Sequence, residues 1–404
     1  MIKKALALSV LLLALPDIVR AQQSDSLPIT FDAKVLEQQA AQIQGNSVPA
    51  LGFTIIHRGQ PRVLKTWGTT QLGQGGTPVN NSTVFRWASL SKSVASTAAA
   101  LAVKEGALDW MTPTHTLLPY AKLSSEQATR SLNLFNILSQ QTGIESYNYG
   151  DQSLQQGATR HQLNEMLGRA KLKCMPGANC YSYQNAAYQW AGDMIAASTR
   201  QPFERYVSGN VFKPLNMTTA SYGLEGLKNS SSWARPHVGT RIVDPKPTYY
   251  LLPAAAGVNG SITDLARWLS AQSGYRQDII PTNMLNDIQS PRVRVPDYSS
   301  GWRKQNIQSN WYGMGWRVWV YKGEIVVTHS GAVEGYRATV AIIPSKHLAV
   351  GVLWNSQSSE PAKLIPATLD AALGHNIHTL PNAPLIQTQQ QQQQTNQSPH
   401  IEEF

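Results

Sequence analysis

The residues of this chain best able to do chemistry lie in FRWASLSKSVASTAAALAVKEG, residues 85–106. Ser89 precedes Lys92 by three positions, and no other lysine of the chain has a serine three residues before it. On a helix, residues three apart share a face, so the hydroxyl and the ammonium meet. Serine is a weak nucleophile until a neighbouring group takes its proton. A lysine in a desolvated pocket can lose its own proton and act as that group, or steady the developing alkoxide. The backbone N–H of Ser89, at the positive end of a helix, offers one oxyanion donor. The pair therefore suits acyl transfer. The same spacing also fits a plain helix start with a capping serine and a surface lysine, so companions must decide.

Two further constellations offer them. Tyr183-Gln184-Asn185 is the sole Tyr-x-Asn of the chain. A phenol near a lysine can relay the serine proton to a leaving group, and an amide two residues on can bind a substrate carbonyl. The alternative is a tyrosine packed at a helix start with a capping Asn. His329-Ser330-Gly331 ends a strand pattern, EIVVTHS, whereas His57-Arg58-Gly59 falls in a turn and His237-Val238-Gly239 in an irregular stretch. Gly331 lets a ligand lie close to the backbone, and the N–H of Ala332 is placed to be a second oxyanion donor.

These groups need a frame. Helix formers dominate from Val94 to Lys104, and Gly106 follows as a stop signal. Residues 31–45 carry Phe31, Val35, Leu36, Ala40 and Ile43 at helical spacing. Phe53–Ile56 and Val63–Trp67 flank Arg58-Gly59-Gln60-Pro61 as a hairpin. From 107 to roughly 250 the patterns are helical, notably 132–140, 161–170 and 185–197. Strand patterns return at 314–321, 324–328, 336–343 and 348–354, and residues 361–373 form a closing amphipathic helix. Strands at both ends predict one antiparallel sheet, of α/β class, flanked by helices and carrying an inserted, mostly helical domain. The expected division is an α/β part at about 22–110 and 250–380, with the helical part at about 111–249.

The 404 residues are 42% hydrophobic and 14% charged, enough apolar material for a large core and too little charge for a disordered chain. Lys3 and Lys4, the apolar run 5–15 and Val19-Arg20-Ala21 read as a secretory signal peptide over residues 1–21. That places the protein in the periplasm or outside the cell, with no transmembrane segment after processing. The formal net charge is +10. Removing three cations and one anion with the signal leaves +8, which suits an anionic surround. No basic run with interleaved aromatics points to nucleic acid. Cys174 and Cys180 would be oxidised there, which favours a disulfide over two buried thiols. No Cys/His cluster has metal-ligand spacing. The Gln-rich stretch 381–404 reads as a disordered tail.

The order Ser-x-x-Lys, Tyr-x-Asn, His-x-Gly resembles that of the penicillin-recognising serine hydrolases, the class C β-lactamase and DD-peptidase group. The likeness extends to Phe85–Ser89, to Ile137–Ile144 (with glutamine for the histidine of an LLTHTSGL segment), to Ala255–Leu265, and to Tyr312–Trp316 beside a YGLGW strand. It covers about residues 30–375. The Ser-Asp-Asn and Lys-Thr-Gly companions of other serine β-lactamases are absent.

The resemblance implies an α/β sandwich with an all-helical domain and a site between them. It implies Ser89 as nucleophile, Lys92 and Tyr183 as the proton-handling pair, and Asn185, His329, Ser330, Gly331 and Ala332 as substrate contacts. It implies no metal or organic cofactor. The reaction it implies is acyl-enzyme formation and hydrolysis, with a small molecule or cell-wall peptide of D-Ala type, or a β-lactam, as substrate. A promiscuous carboxylesterase and a non-hydrolysing penicillin-binding sensor share the same motifs. His329 stands where Lys-Thr-Gly relatives hold a permanent cation. It meets a substrate either as an imidazolium facing a carboxylate or as a neutral hydrogen-bonding ring.

Overall fold

The computed structural model describes residues 26–375. The expected export signal and the Gln-rich tail lie outside the described residues. Two long strands come early, β1 (Ala50–His57) and β2 (Gln60–Gly68), and β3 (Val84–Arg86) leads to Ser89. Four short strands occupy the middle: β4 (Ser221–Tyr222), β5 (His237–Val238), β6 (Arg241–Ile242) and β7 (Val258–Ser261). The last part supplies β8 (Val293–Arg294), β9 (Ile307–Tyr312), β10 (Arg317–Tyr321), β11 (Glu324–Val333), β12 (Tyr336–Ile343) and β13 (Leu348–Trp354).

Eight of these form one antiparallel sheet in the order β2-β1-β13-β12-β11-β10-β9-β8. Early and late parts of the described chain meet where β1 pairs with β13, Phe53 opposite Val352 and Ile55 opposite Val350. Both strands are buried almost throughout, as central strands covered on two faces must be. The expected four-residue hairpin turn is only Arg58-Gly59, with φ of 50° and 75°. Two positive φ values make the two-residue turn whose twist matches its strands. Pro61 instead joins β2, where the missing N–H is tolerated because β2 is an edge strand.

Helix α1 (Ala33–Ser47), capped by Asp32, covers one face together with the closing helix Leu364–Ala372. The buried face of α1 is Leu36, Ala40 and Ile43, while Val35, expected to join it, is exposed. The helix Ile262–Ser270 packs on the other face. A Cβ at Gly351 would lie 2.7 Å from Leu265, so glycine there is what lets this helix approach the sheet. Its start is the capping box of Ser261 and Asp264. Helix α2 (Ser91–Lys104) is buried along nearly its whole length. An alanine-rich sequence suits it, because small side chains let neighbours pack on every side. Helices Arg160–Leu167 and Asn185–Thr199 lie in the stretch where helical patterns were expected.

Candidate active site

The chain reaches Ser89 through a three-residue 3-10 turn, Ala88–Leu90, ahead of α2. Ala88 takes φ 48°, a left-handed conformation that a residue with a Cβ adopts only when its surroundings impose it. They do so here. Trp87 donates from Nε1 to Gly260 O at 3.1 Å, and Ser91 Oγ donates to Ala88 O at 2.6 Å. Ser91 Oγ also accepts from Val258 N at 2.9 Å. Ser91 is thus fully engaged in holding the turn, and of the two serines it is Ser89 that lines the cleft.

Lys92 Nζ lies 3.3 Å from Ser89 Oγ, 2.6 Å from Asn185 Oδ1 and 3.2 Å from Ala255 O. Its three donors are all used. Burial pulls its pKa down to about 7; the negative charge of Asp151 opposes the fall and Arg317 adds to it. Its position is fixed from behind. Tyr188 donates to Lys92 O at 3.0 Å, and a Cβ on Gly315 would lie 2.5 Å from that oxygen.

Tyr183 is 2% exposed, its ring 4.6 Å from Lys92 Nζ, and its phenol has the Ser89 side chain as a hydrogen-bond partner. Burial pushes its pKa well above the usual value, so it is a neutral phenol. The segment is held by Gln140, whose carbonyl accepts from Ser182 N and whose side chain accepts from Gln184 N, both at 2.8 Å. The glutamine that replaces the family's histidine therefore does structural work. Tyr147 stacks on Tyr183 at 5.5 Å. A disulfide joins Cys174 and Cys180 just ahead of it.

The third constellation lies within β11, which runs on past His329 to Val333. A Cβ at Gly331 would sit 2.1 Å from Trp87 O and 2.9 Å from Ser89 N, so only glycine allows the strand to reach the nucleophile's backbone. His329 Nδ1 bonds to Ser330 O at 2.7 Å and Nε2 to Tyr312 Oη at 3.2 Å. Burial, with Lys92 and Arg317 nearby, holds its pKa well below the usual value. It is a neutral imidazole.

All of Ser89, Tyr183, Asn185, His329, Ser330, Gly331 and Ala332 line one cleft of about 650 Å3, which includes space open to solvent. Lys92 lies buried beneath it. Groups that the motifs did not reveal line it too: Asp151, Tyr249, Arg317 and Arg337. Arg317 directly follows the Tyr312–Trp316 segment, a nearness that could have marked it. Nothing in Tyr149-Gly150-Asp151 sets Asp151 apart. Among the described residues, no group of His, Cys, Asp and Glu could hold a metal.

A family model for Beta-lactamase matches residues 33–374. The chain belongs to the Beta-lactamase family. It is 24% identical over 319 residues to an unguisins hydrolase of Aspergillus campestris, covering 75% of this chain and 58% of that one. It is 22% identical over 332 residues to protein flp of Staphylococcus aureus, covering 80% of this chain and 63% of that protein. The chain thus spans about three fifths of the length of these relatives.

Two solved structures share the family fold. One is the octameric penicillin-binding protein homologue of Pyrococcus abyssi, with TM-score 0.75 and 23% identity over 86% of this chain and 79% of that one. The other is a β-lactamase/D-alanine carboxypeptidase of Pseudomonas syringae, with TM-score 0.70 and 18% identity over 86% and 99%. The expected antiparallel sheet with flanking helices is the fold of this family. Among the described residues, no helix is long and apolar enough to cross a membrane.

Proposed function

We propose that this protein is an exported serine hydrolase that works through an acyl-enzyme on amide or ester bonds, with D-Ala-type cell-wall peptides and β-lactams as its substrate class. The observation that carries this is Lys92, buried, brought to a pKa of about 7 and within hydrogen-bond reach of Ser89. At neutral pH a good part of it is unprotonated and able to take the Ser89 proton.

Ser89 Oγ then attacks the carbonyl carbon, and the N–H groups of Ser89 and Ala332 receive the oxyanion. Tyr183, neutral and beside Ser89, passes its proton to the departing nitrogen or oxygen and is reprotonated with the one Lys92 took from the serine. Water completes the turnover by the reverse proton path. Because the base must be unprotonated, kcat/KM should fall about tenfold per pH unit below about 7.

His329 serves as a neutral ring that orients the site, and Arg317 and Arg337 are the cations of the cleft. Arg337 Nη1 donates to Val333 O and Tyr336 O, and burial lowers its pKa to about 10, which leaves it charged. Among the described residues no carboxylate pairs with it, so a substrate carboxylate is its natural partner. This favours carboxylate-bearing peptides and β-lactams over the simple esters of a carboxylesterase. The Cys174–Cys180 disulfide supports a periplasmic or secreted location.

Incubation with a fluorescent penicillin, followed by intact mass over time, tests the reading. An adduct on Ser89 that decays means hydrolysis. A persistent one means a penicillin-binding sensor or a slow DD-peptidase, and ester turnover without an adduct means an esterase.

A further inference from the structure

Asn185 faces two ways. Its carbonyl accepts from Lys92 at 2.6 Å, and its amide nitrogen donates to Asp151 Oδ2 at 2.8 Å. An amide can satisfy both neighbours in one orientation only. Flipped, it would turn N–H groups toward an ammonium and an oxygen toward a carboxylate. The same Asp151 oxygen accepts from Tyr249 Oη at 2.9 Å.

Asp151 is 6% exposed, and its second oxygen is buried with no hydrogen-bond partner. A carboxylate in that setting is costly unless it serves a purpose. Its side-chain bonds run to Asn185 and Tyr249, two residues that line the cleft.

The titratable groups around Lys92 are Tyr183 and Tyr188 on either side of Asn185, Arg317 from β10, His329 from β11, and Asp151. Of these only Asp151 can bring negative charge: burial pushes its carboxyl pKa up, and the bonds from Asn185 and Tyr249 and the nearby Lys92 favour the charged form against that rise. Arg317 opposes the ammonium, and the phenols and the imidazole are neutral.

We propose that Asp151 is a positioning residue for the Ser89–Lys92 pair: it locks the Asn185 amide with its carbonyl toward Lys92 and sets a carboxylate behind that amide, facing the lysine. The inference rests on the reading of Lys92 as the base. Without that charge, burial and Arg317 would act on Lys92 unopposed.

The experiment follows the rate of Ser89 phosphonylation by a fluorophosphonate between about pH 5 and pH 9, read by intact mass, so no substrate need be known. In the native protein the rate should rise through a midpoint near Lys92's pKa of about 7. Asp151→Asn keeps the shape and a hydrogen-bond acceptor but removes the charge, and should move the midpoint down by about one unit. Asp151→Ala removes the acceptor as well. It should show the same shift and a lower plateau, since Asn185 is then unlocked. Tyr249→Phe withdraws a donor that favours the charged form of Asp151, and should shift the midpoint the same way by less.

A midpoint that stays within about 0.2 unit in Asp151→Asn, or moves up, would overturn the proposal by reducing Asp151 to a structural residue. A folded Asp151→Asn protein that labels at no pH would overturn it too, because loss of one charge should shift the profile and not erase it. If Asp151→Asn does not fold, an unmoved Tyr249→Phe midpoint decides against it. Failure of the native protein to label at all is a different result: it removes the hydrolase reading itself.

Discussion

The two sides of the cleft are built in opposite ways. On the sheet side, His329, Ser330 and Gly331 sit within β11, and their places follow from register. Ser330 is opposite Thr339 and Ala332 opposite Arg337 on β12, with the antiparallel ladder fixing the alignment. On the helical side, Tyr183 and Asn185 stand where an irregular segment enters the helix Asn185–Thr199. They are held by side chains from far along the chain, Gln140, Tyr147 and Asp151, and follow directly on the local Cys174–Cys180 bridge. A strand positions by repetition. An irregular segment positions only through specific long-range partners, and each partner is a separate point of failure. The rigid side thus offers the backbone donors, and the side-chain-held side carries the proton chemistry.

The largest expected effect lies where the two sides meet. Ser89→Ala should abolish covalent labelling by fluorophosphonates and penicillins while leaving the fold intact. Ser91→Ala should do the reverse, keeping labelling but lowering stability by about 1–3 kcal/mol, since Val258 N–H would lose its buried partner. Mass spectrometry and thermal melts separate the two. Labelling lost in Ser91→Ala and kept in Ser89→Ala would place the nucleophile two residues further on.

Next come Lys92→Ala and Tyr183→Phe, each lowering turnover by at least about 100-fold. The double variant should lose much less than the product, because groups acting as one relay are not additive. Independent, multiplying losses would split the helical side into two unconnected parts.

The sheet side should fail more selectively. Arg337→Ala should cut kcat/KM for carboxylate-bearing substrates by about tenfold or more relative to neutral esters, the scale of one hydrogen bond to a charged group. An equal loss on both substrate types would show that Arg337 merely supports β12.

Smaller still is reduction of the disulfide. It closes a short loop, a constraint worth roughly 2 kcal/mol. Reduction should therefore speed hydrogen exchange around Tyr183 and lower turnover modestly, with β11 and β12 unaffected. Equal loosening of both sides would erase the contrast between them.

The smallest effect is a null slope. With His329 neutral, the ratio of carboxylate to ester kcat/KM should stay level from about pH 5.5 to pH 8.5. A ratio that falls as pH rises past an imidazole pKa would restore His329 as a cation, against its burial beside Lys92 and Arg317.

The readings that survived and those that changed divide along physical lines. Periodicity made the hairpin, the terminal meander and α1 legible, because side-chain alternation and helical spacing are local properties. The spacing of Ser89 and Lys92 was legible for the same reason, even though the serine sits in a 3-10 turn and not inside the helix. By itself, then, the sequence determined that strands from both ends would share a sheet, and which residue types could supply a nucleophile, a base and a proton relay. Charge states were beyond it. Whether Lys92 is a base near neutral pH, and whether His329 is a cation, depend on burial and on which charges come within reach. Those neighbours, Asp151 and Arg317, lie 59 and 225 positions after Lys92 in the chain. Only the folded arrangement brings them to the lysine. Electrostatic energy depends on distance in space and on the surrounding medium, and neither is written in the order of residues.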